Sequence, residues 1–182
     1  QSSGLFAFEQ KIVPIDRGAN DRFGKSVGLR GNRILVSADQ EDHDLFSLNT
    51  VSNAGSVYSF YKVGGQWVQV QKTIVQSRES GDRFGSALAL NSEFAVISAV
   101  GEKQDNLGFN ALSNAGAAYL FQFGPNAELT LIEKLVQQER SSGAQFGYSV
   151  ALNEEWLFTG APYDNKGGSD GWDAGWVEFY KL

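Results

Sequence analysis

The chain contains no cysteine, no methionine, a single histidine and only three prolines among 182 residues. Without cysteine there is no disulfide framework, no thiol nucleophile and no thiolate zinc site, so packing and hydrogen bonding alone must hold the fold. The one histidine, His43, sits among Glu41, Asp42 and Asp44, where a solvated loop group is expected rather than a general base. No apolar run approaches 18 residues, which excludes a bilayer-spanning helix. Nor is there a dense basic run: 15 Lys and Arg stand against 21 Asp and Glu, for a net charge of -6. Nucleic acid is therefore not an expected partner, because its binding leans on a clustered basic footprint. These absences point to a protein that is not an enzyme. With no initiator methionine, Gln1 reads as a terminus left by removal of a secretory signal, which places the protein outside the cell or on its surface. A trimmed piece of a longer protein is the alternative.

What is present is material for a packed core, 42% hydrophobic and 13% aromatic residues, and 21 glycines that signal many tight turns. One domain over residues 1–182 is expected. Within it a single unit occurs three times. Asp21-Arg22-Phe23-Gly24-Lys25-Ser26 returns as Asp82-Arg83-Phe84-Gly85-Ser86-Ala87 and as Gln145-Phe146-Gly147-Tyr148-Ser149, with spacings of 61 and 62 residues between the phenylalanines. Ten residues after each Phe comes an apolar run: Arg33 to Ala38, Phe94 to Ala99, and Trp156 to Pro162. A long polar loop follows and closes at Asn53-Ala54-Gly55, Asn114-Ala115-Gly116 and Asp173-Ala174-Gly175, each opening an aromatic-rich run. Twelve residues before each Phe stands a lysine, Lys11, Lys72 or Lys134, at the end of a fourth alternating stretch.

Short runs rich in Val, Ile, Phe, Tyr and Trp, bounded by Gly, Asn and Asp, are the pattern of strands joined by turns. Helical stripes are missing. Four strands in roughly 60 residues, repeated, predict an all-β chain: a β-propeller of four-stranded antiparallel blades, three per chain, with repeats at about 5–63, 66–123 and 127–182. The chain opens inside a fourth strand, Leu5 to Lys11, and stops after a third strand, Trp176 to Leu182. The first segment is thus expected to complete the blade that ends at 182. Three blades are few for a ring of about 4 to 8, so completion to six by a second chain is the leading expectation. A longer chain with more blades, and a strained three-bladed monomer, remain open.

These residues resemble the FG-GAP repeat of integrin α-subunit propellers, and more closely its bacterial branch. The resemblance is carried by Asp82 to Leu90, by Gly160-Ala161-Pro162 and by the Gly-aromatic run Gly116 to Phe121, and it covers nearly the whole chain. It implies a propeller; its members include adhesion receptors and secreted lectins, so it implies recognition rather than catalysis. Members often hold calcium in a loop patterned Asp-x-Asp/Asn-x-Asp/Asn-Gly-x-x-Asp, and none of the three loops here carries that pattern. Asp39, Glu41, Asp42 and Asp44 are nonetheless a weak calcium candidate, with a solvated turn-rich loop as the plainer reading. For a glycan or an extracellular protein, the expected face is built from the loops after each second strand. Its candidate residues are Tyr163, Asp164, Asn165, Asp170, Trp172 and Asp173, with Phe46 and Phe109 in the other two loops. Sugars offer apolar faces to aromatic rings and hydroxyls to Asp and Asn, which is why these types are singled out. The rival expectation is a structural protein whose terminal strands join chains.

Overall fold

The computed structural model describes residues 7–165 and 173–182, and among them every regular element is a β-strand. The first sheet contains β1 (Val27–Arg30), β2 (Arg33–Ala38), β3 (Ser56–Val63) and β4 (Gln66–Thr73), hydrogen-bonded in that order. The second repeats it as β5 (Phe84–Leu90), β6 (Phe94–Ala99), β7 (Ala117–Phe123) and β8 (Leu129–Leu135). The third contains β9 (Ser149–Leu152), β10 (Trp156–Ala161) and β11 (Trp176–Lys181), with β11 at its edge. All pairings are antiparallel. Sheets of four, four and three strands are what the repeat predicts. No helix among the described residues is long and apolar enough to cross a membrane.

The second strand of each unit is central, which explains its composition. β2 and β6 are buried along nearly their whole length, as continuous apolar runs covered on both faces must be. The seams between sheets use the Phe-Gly element. Phe84 is fully buried, packs edge-on against Tyr119 at 5.6 Å, and shares one core cluster with Leu35 and Val57 of the first sheet. Phe146 does the same one sheet further on, with Val96 and Ala118. Backbone bonds reinforce each seam: Phe84 N–H donates to Ala54 O at 2.8 Å and Phe146 N–H to Ala115 O at 2.8 Å. The backbones approach so closely that a Cβ on Gly116, whose φ is +84°, would lie 2.3 Å from Phe146 O, so only glycine fits there.

The glycine after each phenylalanine serves the seam as well. A Cβ on Gly85 would meet the Cβ of Ser37 in the preceding sheet at 2.7 Å. The room it leaves is for the neighbouring sheet. The turns between first and second strands also meet: Glu154 accepts from Arg30 Nη2 at 2.9 Å and from Ser92 Oγ at 2.8 Å, tying all three sheets together.

Residues 7–14 differ from expectation in carrying no ladder pairing. An outer strand forms only on an inner strand, and among the described residues no inner strand lies beside this segment. The segment is still held in place. Gln10 Nε2 donates to Trp67 O at 3.1 Å and Trp67 N–H donates back to Gln10 Oε1 at 2.9 Å. Gln71 of β4 grips Leu129 of β8 in the same two-bond manner, at 3.3 and 2.7 Å. Residues 7–14 therefore stand beside the first sheet as β4 stands beside the second.

Candidate functional site: the loops after the second strands

Each loop after a second strand is anchored by a buried carboxylate three residues beyond the strand. Glu41, Glu102 and Asp164 hold this position, and all three are buried. In the first sheet Lys72 Nζ of β4 lies 3.1 Å from Glu41 Oε2, 2.7 Å from Asp16 Oδ2, and donates to Asp44 O at 3.3 Å. In the second, Lys134 Nζ of β8 lies 3.2 Å from Glu102 Oε2 and donates to Gln104 O and Asp105 O at 3.1 and 3.2 Å. Tyr119 donates its hydroxyl to Glu102 at 2.6 Å; burial, with the Glu102 charge beside it, pushes the phenol well above its ordinary range, so it remains a donor. A buried charge needs this much pairing, because an uncompensated one is expensive.

A second cation closes each loop from outside. Arg78 donates to His43 O at 2.8 Å, Asp42 O at 3.2 Å and Asn49 O at 3.3 Å, and Arg140 donates to Asn110 O at 2.8 Å and to Lys103 O. The loop tips are then ordered from within. Asp44 Oδ1 accepts the Phe46 and Leu48 amides at 2.9 and 3.0 Å, and its Oδ2 accepts Asn49 Nδ2 at 2.6 Å. Asp105 repeats this with the Leu107 and Phe109 amides and the Asn110 side chain. The Leu48 amide and the Asn49 side-chain amide hold the Asp44 carboxyl down to about 2, and the same kind of donors lower Asp105. Each carboxylate thus accepts from its own loop, and each tip presents two large apolar side chains to solvent. Phe46 is 77% exposed, Leu48 80%, Leu107 73% and Phe109 68%.

The candidate calcium residues are dispersed by these roles. Asp39 faces Arg22 at 3.6 Å, Glu41 faces Lys72, Asp42 Oδ1 accepts Asn53 N–H at 2.6 Å, and Asp44 organises its own tip. Among the described residues no three His, Asp or Glu side chains are grouped as a cation would require. His43 is committed to Glu41, its Nδ1 lying 3.1 Å from Glu41 Oε1. In the third loop Tyr163 packs edge-on against Tyr148 at 5.9 Å, and Asn165 Oδ1 accepts Asp173 N–H at 2.6 Å. Asp164 is buried and accepts from the Gln137 amide. Asp170 and Trp172 lie outside the described residues. The pairs Lys72–Arg78 and Lys134–Arg140 were not anticipated as loop anchors, although their 62-residue spacing is a signal visible in the sequence.

One further carboxylate titrates where it can be measured. Asp82 is fully buried at the second seam entrance, and burial pushes its carboxyl up to about 6, against the opposing pull of the Glu79 amide that it accepts. Its folded value lies above its unfolded value near 4, so between those two the folded chain keeps a proton that the unfolded chain releases. Raising the pH through that window therefore removes stability. Asp82→Asn, which keeps an acceptor for Glu79, should match the wild type below about pH 4 and exceed it by on the order of 2 kcal/mol above about pH 6. Urea midpoints for both proteins from pH 4 to 8 check this; parallel curves would remove the assignment.

The fold and loops define a class first: an all-β repeat module in which the buried carboxylates Glu41, Glu102 and Asp164 serve structure. A family model described as FG-GAP repeat matches residues 6–60, 67–121 and 129–175. The chain belongs to the FG-GAP repeat family. A search of curated proteins returned no match.

Proposed function

We propose that the protein is a secreted or surface-displayed binding module that takes a protein partner on the loop tips after β2 and β6. The observation that carries this is the pairing of rigidity with exposed apolar groups: Phe46 and Leu48 on one tip, Leu107 and Phe109 on the next. Preordered apolar anchors are what protein interfaces use, because little freedom is lost on binding. A glycan fits these two tips less well, since Asp44 and Asp105 already accept hydrogen bonds from their own loops. The third loop, with Tyr163 and Asn165, is the place where a glycan would be taken. Repetition of the tip makes recognition multivalent, which raises avidity without new contacts.

The test is selection from a displayed-peptide library on the immobilised chain, with a glycan array in parallel. Phe46→Ser combined with Phe109→Ser should weaken selected peptides at least about tenfold while leaving the melting temperature unchanged, because both rings are exposed. Peptide binding untouched by both substitutions, or glycan binding that depends on Tyr163 instead, would overturn the assignment to these tips. A second reading, an assembly role, is favoured by a separate observation: β11 is a sheet edge with one neighbour, whereas β3 and β7 each have two.

A further inference from the structure

This inference rests on the assembly reading and supplies what that reading lacks, the identity and chemistry of the docking segment. Beside β11 lies a groove of about 370 Å³ lined by Glu139, Asp164, Trp176, Val177, Glu178 and Phe179, among others. Trp176 is 44% exposed, Val177 64% and Phe179 61%, so the edge offers apolar side chains as well as unpaired backbone groups. Three carboxylates line the same groove. In the two complete sheets this place is filled by β4 and β8. Register fixes the correspondence: Tyr58 pairs with Lys72 and Tyr119 with Lys134, while Glu178 stands opposite Thr159 as Tyr119 stands opposite Ile97. The occupant of the groove must therefore set a residue directly across from Glu178, and in both sister sheets that residue is lysine.

The chain carries one more copy of the outer-strand set. Gln10, Lys11 and Arg17 precede Gln71, Lys72 and Arg78 by 61 residues each. Gln10 already performs its repeat function, gripping Trp67 as Gln71 grips Leu129. Lys11 and Arg17, by contrast, are exposed and make no hydrogen bond or ion pair among the described residues, although their counterparts anchor loops. Because Gln10 fixes this segment beside the first sheet, it stands ready as an outer strand, with no inner strand beside it among the described residues.

We propose that the groove beside β11 receives residues 7–17 of a second copy of this chain, with Lys11 set across from Glu178 above Asp164 and Arg17 reaching the loop after β10. Charge decides the direction of docking: Lys11 and Arg17 meet Glu139, Asp164 and Glu178. Each copy donates one segment and accepts one, so two copies make two equal junctions and a ring of six sheets, within the usual range, whereas three copies would make nine.

Sedimentation equilibrium on the 182-residue chain reads the outcome. The wild type is expected as a dimer. Lys11→Glu with Arg17→Glu should weaken it about a hundredfold or more, with the melting curve of the dilute chain unchanged because both side chains are exposed. Adding Glu178→Lys to Lys11→Glu should restore association, which a merely structural defect would not allow. A wild type that stays monomeric at high micromolar concentration overturns the assembly reading and this inference with it. A dimer indifferent to Lys11→Glu and Arg17→Glu overturns this inference alone and leaves assembly through another surface.

Discussion

Replacing Phe84 with alanine is expected to lower the stability of the chain by about 3–5 kcal/mol, the range for emptying a fully buried aromatic site. The residue is completely enclosed, and its ring is gripped by Tyr119 at 5.6 Å and Phe121 at 6.0 Å from its own sheet. Leu35 and Val57 close over it from the first sheet, so the cavity would open between two sheets rather than within one. Collapse is resisted because Phe84 N–H is bonded to Ala54 O and holds the backbones apart at fixed spacing. For a chain of this length the melting temperature should fall by roughly 10 °C or more. Phe23, at the same position of the first repeat, gives an internal comparison. It contacts Tyr58 and Phe60 in the same edge-on way at 5.6 and 6.2 Å but is only half-buried. Phe23→Ala should therefore cost distinctly less. Equal losses from the two substitutions would mean that the seam does not govern stability.

Lys134→Met should destabilise by a similar amount, about 3–5 kcal/mol, because it strands a buried carboxylate. Glu102 is 1% exposed, receives the Tyr119 hydroxyl, and has Lys134 as its ion-pair partner at 3.2 Å. The same ammonium holds the loop carbonyls of Gln104 and Asp105, so its loss also loosens the tip that displays Leu107 and Phe109. The charge term can be separated from the loop term. Removing both charges, Glu102→Leu with Lys134→Met, should recover a large part of the loss, since a buried pair replaced by apolar groups is often near neutral. Denaturant midpoints of the two single variants and the double variant provide the comparison. A double variant as unstable as the sum of the singles would assign the effect to packing instead.

The strands were legible because period and burial speak together. β2 and β6 run over Arg33–Ala38 and Phe94–Ala99, the apolar runs themselves, and β7 runs over Ala117–Phe123 as its composition implies. The start of the chain was not legible in the same way. Residues 7–11 have strand chemistry, but a strand is a relation between two segments, and composition does not show which segment stands beside it. The loops were harder still. Glu41 and Asp44 are both acidic and three positions apart, yet one is buried under Lys72 and the other organises an exposed tip. Composition cannot separate them; register can, because a carboxylate three residues past the central strand occurs in all three repeats, as Glu41, Glu102 and Asp164, whereas one six residues past it occurs in two, as Asp44 and Asp105. The same register makes Asp164 a structural carboxylate, leaving Tyr163, Asn165 and Asp173 as the described members of the third-loop set with exposed surface.

The self-contained wiring of the two tips has an engineering meaning. Asp44 with Asn49, and Asp105 with Asn110, close each turn using only backbone amides from the residues between them. Those intervening side chains donate nothing to the closure. Positions 45, 46 and 48, and 106, 107 and 109, can accordingly be randomised as a library while the acid and amide at either end and the left-handed Ser47 and Gly108 are kept, so that evolution or a designer can exchange specificity there without renegotiating the scaffold beneath.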